Sequence, residues 1–375
     1  MKLLLINTNS TSYNGVTNAI FNLLEAMEGK NIDIDYLSIN DPEDKYKRII
    51  KNKWGNLYVF PRNTRPIKYF FELSRLIKNN KYDIVHVHGN SHTLSLEMLA
   101  AKIAGCKIRI AHGQNSTCYN LKLHKILTPI FNATCNYGFA CSQNAGDFLF
   151  GEKEFIVLRN GINMKKYAFD IEKREEIRKR LGYTNNCIVV GNVAAMRKEK
   201  NQLFLIDVFN YLYRNNNNYR MILVGDGPDR TEIEENITEL GLNDVIHLTG
   251  FADDSIYLSA MDMIVMPSVF EGLPISLIEE QTNGLVCFVS ENITKEIDTT
   301  KKNIFISLDR KPEEWAEIIA NANILRTEDL SEEFFKKTKE AGFDIYDESE
   351  WIFEYYDKVI KENKLDNMER KGNDR

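Results

Sequence analysis

Short apolar runs alternate with segments of helical period along the whole chain. In the first half, runs at Leu3–Ile6, Leu57–Phe60, Ile84–Val87, Ile108–Ala111, Gly138–Cys141 and Phe155–Leu158 are separated by stretches such as Ala19–Met27 and Leu94–Ala104, whose apolar positions recur at helical spacing. Buried strands that alternate with helices predict a parallel, doubly wound sheet. Asn160-Gly161-Ile162 reads as a turn, and Met164–Gly182 as a linker running into a charged helix. A second series follows, at Ile188–Val190, Met221–Val224, Val245–Leu248, Met263–Met266, Val286–Ser290 and Ile304–Leu308, and predicts a second sheet of the same kind. The last amphipathic segment, Tyr346–Lys361, carries Trp351, Ile352, Tyr355, Tyr356 and Ile360 at helical spacing. The pattern predicts an α/β protein of two Rossmann-like domains, residues 1–163 and 164–345, with ligands expected between the carboxyl ends of their strands.

Composition agrees with this organisation. A chain of 375 residues accommodates two domains of roughly 150 residues each. The six cysteines show no C-x-x-C spacing and lie in apolar or small-residue contexts, which suits reduced thiols in a cytoplasmic protein. Lys2–Ile6 is too short an apolar run for a signal peptide or a membrane helix and reads as a first strand.

Charge adds one feature. The net charge is −6, yet Lys45–Lys81 holds eleven Lys or Arg and a single acid, Glu72, interleaved with Trp54, Tyr58, Phe60, Tyr69, Phe70 and Phe71. Phe70 and Phe71 are expected in the core. The segment as a whole suggests docking to something anionic, a membrane face or a lipid diphosphate, and hence a peripheral position at the inner face of the plasma membrane. The acidic remainder and the lack of a nucleic-acid module argue against nucleic acid.

Candidate chemistry concentrates in Pro267-Ser-Val-Phe-Glu271-Gly272-Leu273-Pro274-Ile275-Ser-Leu-Ile-Glu279-Glu-Gln-Thr-Asn-Gly284, between two apolar strands. Pro274 suits the first position of a short helix and Gly284 its left-handed end. Glu271 then stands at the strand-to-helix crossing and Glu279 about one and a half turns into the helix. Two carboxylates beside free helix N–H groups can hold a sugar that carries a diphosphate. The first strand is followed by Asn7-Thr-Asn-Ser-Thr-Ser-Tyr-Asn14-Gly15 with no G-x-G-x-x-G, which disfavours nicotinamide and flavin chemistry.

The Glu271–Glu279 run resembles the E-x7-E donor-binding element of the retaining glycosyltransferases of family 4, in their bacterial capsule and exopolysaccharide branch. The resemblance implies a GT-B fold in which the terminal helix, 346–375, crosses back onto the first domain. It also implies roles for particular residues. In Gly191-Asn-Val-Ala-Ala195-Met-Arg197-Lys-Glu-Lys200-Asn201, the family's diphosphate-binding Lys falls on Lys200. The family Arg falls on Ala195, and Arg197, two residues on, is the substitute candidate. Leu223-Val-Gly225-Asp-Gly227-Pro228 matches a turn near the nucleotide, and Leu248-Thr-Gly250-Phe251 the region that meets the base. Gly15 matches one of two family glycines near the phosphates, with Asn14 in place of the other. His112 matches a strand-end His facing the donor sugar.

Asp253-Asp254 is read as a helix cap without a metal role. His86 and His88 share one strand face but show no third ligand at a telling spacing. No metal and no cofactor beyond the nucleotide-sugar co-substrate is expected.

The resemblance implies transfer of a sugar, with retention of anomeric configuration, from a nucleoside diphosphate, UDP, to a hydroxyl of a glycan or lipid-linked acceptor in surface polysaccharide synthesis. Glu271, His112 and Lys200 are the catalytic candidates. Gly15, Arg197, Gly225, Phe251, Gly272, Leu273, Ile275 and Glu279 are the donor-binding candidates. A non-catalytic GT-B subunit that binds glycan or a partner glycosyltransferase stays open as a second class.

Overall fold

A computed structural model of the chain describes residues 1–12, 14–322 and 326–373, with side chains described up to residue 365. The elements run β1 (Lys2–Asn7), α1 (Gly15–Ala26), β2 (Asp33–Ser38), α2 (Asp44–Lys53), β3 (Leu57–Val59), α3 (Pro66–Asn80), β4 (Ile84–Gly89), α4 (Ser95–Ile103), β5 (Ile108–Gly113), α5 (Leu121–Thr134), β6 (Tyr137–Ala140), α6 (Gln143–Phe150) and β7 (Ile156–Val157). Next come α7 (Met164–Tyr167), α8 (Ile171–Arg180), β8 (Ile188–Val193), α9 (Gln202–Asn215), β9 (Tyr219–Val224), α10 (Arg230–Glu239), β10 (Ile246–Leu248), α11 (Asp254–Leu258) and β11 (Met263–Met266). The chain ends with α12 (Ile275–Thr282), β12 (Val286–Ser290), β13 (Ile304–Ile306), α13 (Pro312–Asn321), α14 (Glu328–Glu340) and α15 (Ile345–Asn373). They form two compact units. The first is Met1–Gly161 with the C-terminal helix from Ile345, and the second is Ile162–Asp344.

The first unit holds a seven-stranded sheet in the order β3-β2-β1-β4-β5-β6-β7, parallel throughout. Alternate residues of β1 feed two separate cores, as the two-residue period of a strand requires. Leu3 and Leu5 pack with α1, α2 and α15 through Leu24, Ile50 and Ile352. Leu4 and Ile6 pack with α3, α4 and α5 through Leu73, Met98 and Phe131.

The second unit holds a six-stranded parallel sheet in the order β10-β9-β8-β11-β12-β13. Phe209, Ile233 and Trp315 cover one face, and Ile177, Leu258 and Ile278 the other. The chain enters and leaves this unit at paired positions, where the N–H of Ile162 donates to the Phe343 carbonyl at 2.8 Å.

Several expectations are corrected. Strand β2 lacks an unbroken apolar run because Asp35 lies in it, 1% exposed. That carboxylate is satisfied by the Asn56 N–H at 2.6 Å and by the Tyr82 hydroxyl. Phe71 is 64% exposed rather than core, while Tyr69 beside it is fully buried. The basic Lys45–Lys81 segment is divided between the two faces of the sheet, since Ile50 of α2 and Leu73 of α3 belong to opposite cores. Pro274 is the N-cap of α12 and not its first helical residue. Gly284 closes α12 as expected, at φ 88°, and a Cβ there would meet the Ser331 side chain at 2.3 Å.

One buried acid in α15 links stability to pH. Burial pushes the Glu348 carboxyl up to about 8, against the opposing hydrogen bond from the Gly161 N–H at 2.8 Å. Folded protein therefore holds a proton that the unfolded chain releases above its ordinary value. The contribution is full below that value and is lost as pH rises from about 4.5 to about 8. Glu348→Gln is expected to gain melting temperature relative to the parent as pH rises through that window. An unchanged difference at about pH 5 and about pH 8 would refute it.

Candidate active site

In the six-stranded sheet the strand order reverses between β8 and β11, the position where ligands of open α/β sheets gather. The loops leaving these two strands carry Lys200 and Glu271, and the two side chains form an ion pair. The pair is partly enclosed, with 22% of the Lys200 and 11% of the Glu271 side chain exposed. The loops are also joined by backbone. The Val269 N–H donates to the Glu199 carbonyl at 2.8 Å, and Asn201 Nδ2 to the Pro267 carbonyl at 3.2 Å. Asn201 reaches this position in the left-handed region, at φ 59°, which Asn tolerates better than most residues.

No side chain caps α12 at Pro274. The Leu277 N–H donates to the Pro274 carbonyl at 3.0 Å, while the Ile275 and Ser276 N–H groups, a few residues after Glu271, lack a capping oxygen and are available to an anion. Gly272 is exposed with nothing within 4 Å of a Cβ, so packing does not demand glycine there. Leu273 and Ile275 are half-buried against the core beneath.

The Gly-rich turn after β9 closes the neighbouring side. Gly225 has φ 137°, and a Cβ would lie 2.0 Å from the Ala194 carbonyl oxygen. The two turns are in contact, with the Met196 N–H donating to the Asp226 carbonyl at 3.0 Å. Arg230 pairs with Asp226 at 3.1 Å and adds a cation here that the motifs did not mark. The Gly225 N–H donates to the Gly250 carbonyl at 3.1 Å, so Phe251, 75% exposed, follows directly on this turn. Arg197 is exposed and pairs with Glu199 at 4.0 Å, apart from the Lys200–Glu271 pair. Position 195 contributes backbone, its carbonyl accepting from Gln202 Nε2 at 3.0 Å.

Glu279 is half-buried beside Tyr167 and Asp254. Burial, then the Asp254 carboxyl, holds its acid well above the ordinary range, opposed by a hydrogen bond from Tyr167. Burial also raises Asp254. Glu279 is therefore held toward a protonated carboxyl that can donate as well as accept. Asp253 caps α11, accepting from the Ser255 N–H at 3.2 Å, and pairs with Lys166 at 3.0 Å. Asp254 also accepts from the Ser255 N–H, at 2.8 Å, and stands beside Glu279 as well.

His112 and Gly15 lie in the first unit. Gly15 opens α1 without a strained φ or a close neighbour, and Asn14, at φ −151°, is extended rather than left-handed. Its side chain caps α1 by accepting from the Thr17 N–H at 2.9 Å. His112 is 2% exposed, stacks beside His86 and is tilted by 33° against His88. Burial lowers its pKa to about 3.

Among the described residues these three histidines could offer ligand atoms lying within 4.8 Å of one another. Imidazole is an apt ligand for zinc-like ions. However, the rings are close to parallel, at 14° and 19° for His86 against His88 and His112. In-plane lone pairs of displaced parallel rings do not meet at one point, so the arrangement as it stands does not fit a shared metal.

The comparisons with known proteins now bear on this geometry. Residues 13–166 match the family model described as Glycosyltransferase Family 4, and residues 173–341 that of Glycosyl transferases group 1. The chain belongs to glycosyltransferase family 4. Among relatives of this family 4 glycosyltransferase, Bacillus subtilis EpsF, itself assigned as a glycosyltransferase, is 29% identical over 351 residues, 88% of this chain and 90% of EpsF. The Escherichia coli UDP-Gal:α-D-GlcNAc-diphosphoundecaprenol α-1,3-galactosyltransferase is 31% identical over 241 residues, 60% of this chain and 62% of the relative. Anabaena HepE, solved in complex with UDP, superposes with a TM-score of 0.77 over 96% of this chain and 100% of its own, at 17% identity. The two parallel-sheet units are those of the GT-B fold, and the chain is a glycosyltransferase.

Sequence patterns brought out Glu271, Glu279, Lys200 and the Gly-rich turn of this family 4 enzyme. They missed Tyr167 and Asp254 around Glu279, Arg230, and the companions of His112. Lys166-Tyr167 falls in the segment read as a linker, and no local motif separates its side chains from solvated ones.

Proposed function

We propose that this glycosyltransferase moves a sugar from UDP to a hydroxyl of a glycan or lipid-diphosphate-linked acceptor, with retention of anomeric configuration and without a metal ion. The observation that carries the proposal is the Lys200–Glu271 ion pair at the β8/β11 switch point, beside the uncapped start of α12. Departure of a nucleoside diphosphate requires fixed positive potential, which Lys200 and the α12 N–H groups supply. Glu271 is assigned to the sugar hydroxyls and to positive charge developing on the sugar ring. Glu279 takes the ribose hydroxyls, and His112 a sugar oxygen. Arg197 could supply a second cation by leaving Glu199, and Gly15 close backbone approach to the phosphates. Gly225, Gly272, Leu273, Ile275 and Phe251 complete the donor-binding assignment. HepE has been solved with UDP and with UDP-glucose, which supports UDP.

The test is release of free nucleotide from UDP-, GDP- and ADP-sugars, with acceptor-bearing membrane extract, in the presence and absence of EDTA. Turnover with a UDP-sugar, unchanged by EDTA, is expected. Inhibition by EDTA that added divalent metal restores would overturn the metal-free reading. Nucleotide binding without turnover would favour the non-catalytic subunit, which Ala195 at the family's Arg position also favours.

We further assign an anionic membrane surface to the α3–α4–α5 face of the first unit. Adjacent helices there expose Ile67, Phe71, Ile103, Leu121 and Ile126, with Lys68, Arg75, Lys122 and Lys125 also exposed. Apolar groups among cations complement an anionic bilayer. No helix among the described residues is long and apolar enough to cross a membrane. Lys122→Glu combined with Lys125→Glu is expected to weaken sedimentation with anionic vesicles by roughly tenfold or more, at about 1 kcal/mol per charge. Equal binding to neutral vesicles would refute the assignment.

A further inference from the structure

Beside His112 the first unit holds a chain of buried polar groups with no part yet in the proposed reaction. The Tyr356 hydroxyl on α15 lies 2.5 Å from His86 Nδ1. His86 Nε2 lies 3.2 Å from His112 Nδ1. Next to them, Gln114 Nε2 is 3.0 Å from His88 Nδ1, while Gln114 Oε1 accepts from Asn160 Nδ2 at 3.1 Å. Among the described residues the Nε2 atoms of His88 and His112 have no hydrogen-bond partner, although both residues are 2% exposed. Their strands end beside the β1/β4 reversal of strand order, where ligands of such sheets gather.

The ends of the chain set its direction. Burial lowers the pKa of all three histidines, so each ring is neutral and carries one hydrogen. Tyr356 is fully buried, and His86 is its only hydrogen-bond partner among the described residues. If the hydroxyl accepted from His86 Nδ1, its own hydrogen would be left unpaired in the core, an unfavourable state. Donation avoids this. Tyr356 O–H then donates to His86 Nδ1, His86 Nε2–H donates to His112 Nδ1, and the hydrogen of His112 must sit on Nε2. Gln114, its oxygen engaged by Asn160, donates to His88 Nδ1 and places that ring's hydrogen on Nε2 as well.

We propose that Tyr356, acting through His86, and Gln114 are positioning residues that hold His112 and His88 as Nε2–H tautomers, a pair of donors for oxygens of the transferred sugar or its leaving phosphate. The ring centroids of the pair are 4.6 Å apart. Neutral donors suit this task, because a charged imidazolium would repel the positive charge that develops on the sugar. The ligand role rests on the nucleotide-sugar reading above. The tautomers do not.

The experiment is nitrogen–proton correlation NMR of protein labelled in its histidine rings. In wild type, His86, His88 and His112 are expected neutral and protonated on Nε2. Tyr356→Phe keeps the ring but removes the donor, and is expected to release His86 and His112 into mixed tautomers. Its kcat should fall roughly tenfold or more, with the donor KM changed less than about twofold. Gln114→Leu should release His88 alone. Nδ1 protonation of His112 in wild type, or Tyr356→Phe leaving both rings unmoved, would overturn the relay. Adding UDP-sugar should shift the Nε2–H signals of His88 and His112. Donor that binds, by its own phosphorus signal, without moving either one overturns the ligand role. Failure of donor to bind at all sinks the nucleotide-sugar reading, and the ligand role with it, while the tautomers are still read directly.

Discussion

Glu271→Gln is expected to slow sugar transfer by roughly 10²–10³-fold while binding UDP more tightly. The loss follows from removing a fixed charge that acts on the reacting sugar, the kind of contact worth about 2.7–4 kcal/mol. The gain follows from the ion pair. Glu271 holds Lys200, and the two side chains are mostly enclosed. A diphosphate that approaches Lys200 competes with this carboxylate for the same ammonium. Gln removes the competing charge at nearly constant shape, and Lys200 is left to the phosphates. The tightening is expected at severalfold, since one charge-assisted hydrogen bond is worth about 1.5–3 kcal/mol and Lys200 keeps some of its water. Calorimetric titration with UDP beside steady-state kinetics measures both quantities. Weaker UDP binding together with slower transfer would mean that Glu271 orders the site rather than competing within it. Lys200→Ala should lose both, because the diphosphate then has neither partner.

Asp262→Ala is expected to destabilise the second unit by about 3–5 kcal/mol, the range for breaking a buried ion pair from one side. Asp262 stands just before β11 and receives Arg174, Arg178 at 3.2 Å and the backbone N–H of Val189 at 2.7 Å. Arg326 shares the same surroundings, its pKa lowered to about 9 by burial and then by Arg174. Taking away the one carboxylate leaves three guanidinium groups crowded and under-compensated, and unties β8 from the start of β11. Those are the two strands whose far ends carry Lys200 and Glu271. A melting temperature lower by on the order of 10 °C is expected for a unit of this size. Asp262→Asn should fall between parent and Ala, since an amide oxygen can still accept from Val189. Stability within about 1 kcal/mol of the parent in urea unfolding would show that solvent compensates the three cations.

Most of the fold was legible because parallel strands buried on both faces read as short apolar runs with helices between them. The exception is instructive. Strand β2 hides a buried carboxylate, Asp35, whose partners Asn56 and Tyr82 come from elsewhere in the chain, so its local pattern gave no strand signal. Phe71 failed for the opposite reason. Its neighbours carry a helical period, but which residue of an aromatic pair faces inward depends on how α3 rolls against α4. The basic segment read as one surface is two, because a strand between helices can send them to opposite faces of the sheet.

The sequence by itself determined the class of the protein and the kind of chemistry available. Strand runs, the Pro274–Gly284 helix limits and the spacing of Glu271 and Glu279 are local, and local geometry is dictated by residues a few positions apart. Only the tertiary structure decided who meets whom. It joined Lys200 to Glu271 across 71 residues, enclosed Glu279 with Tyr167 and Asp254, and brought Tyr356 to His86 across 270. Ion pairing, desolvation and tautomer choice depend on distances of a few ångströms and on the exclusion of water. Those are set by packing between elements remote in sequence, which no local pattern records.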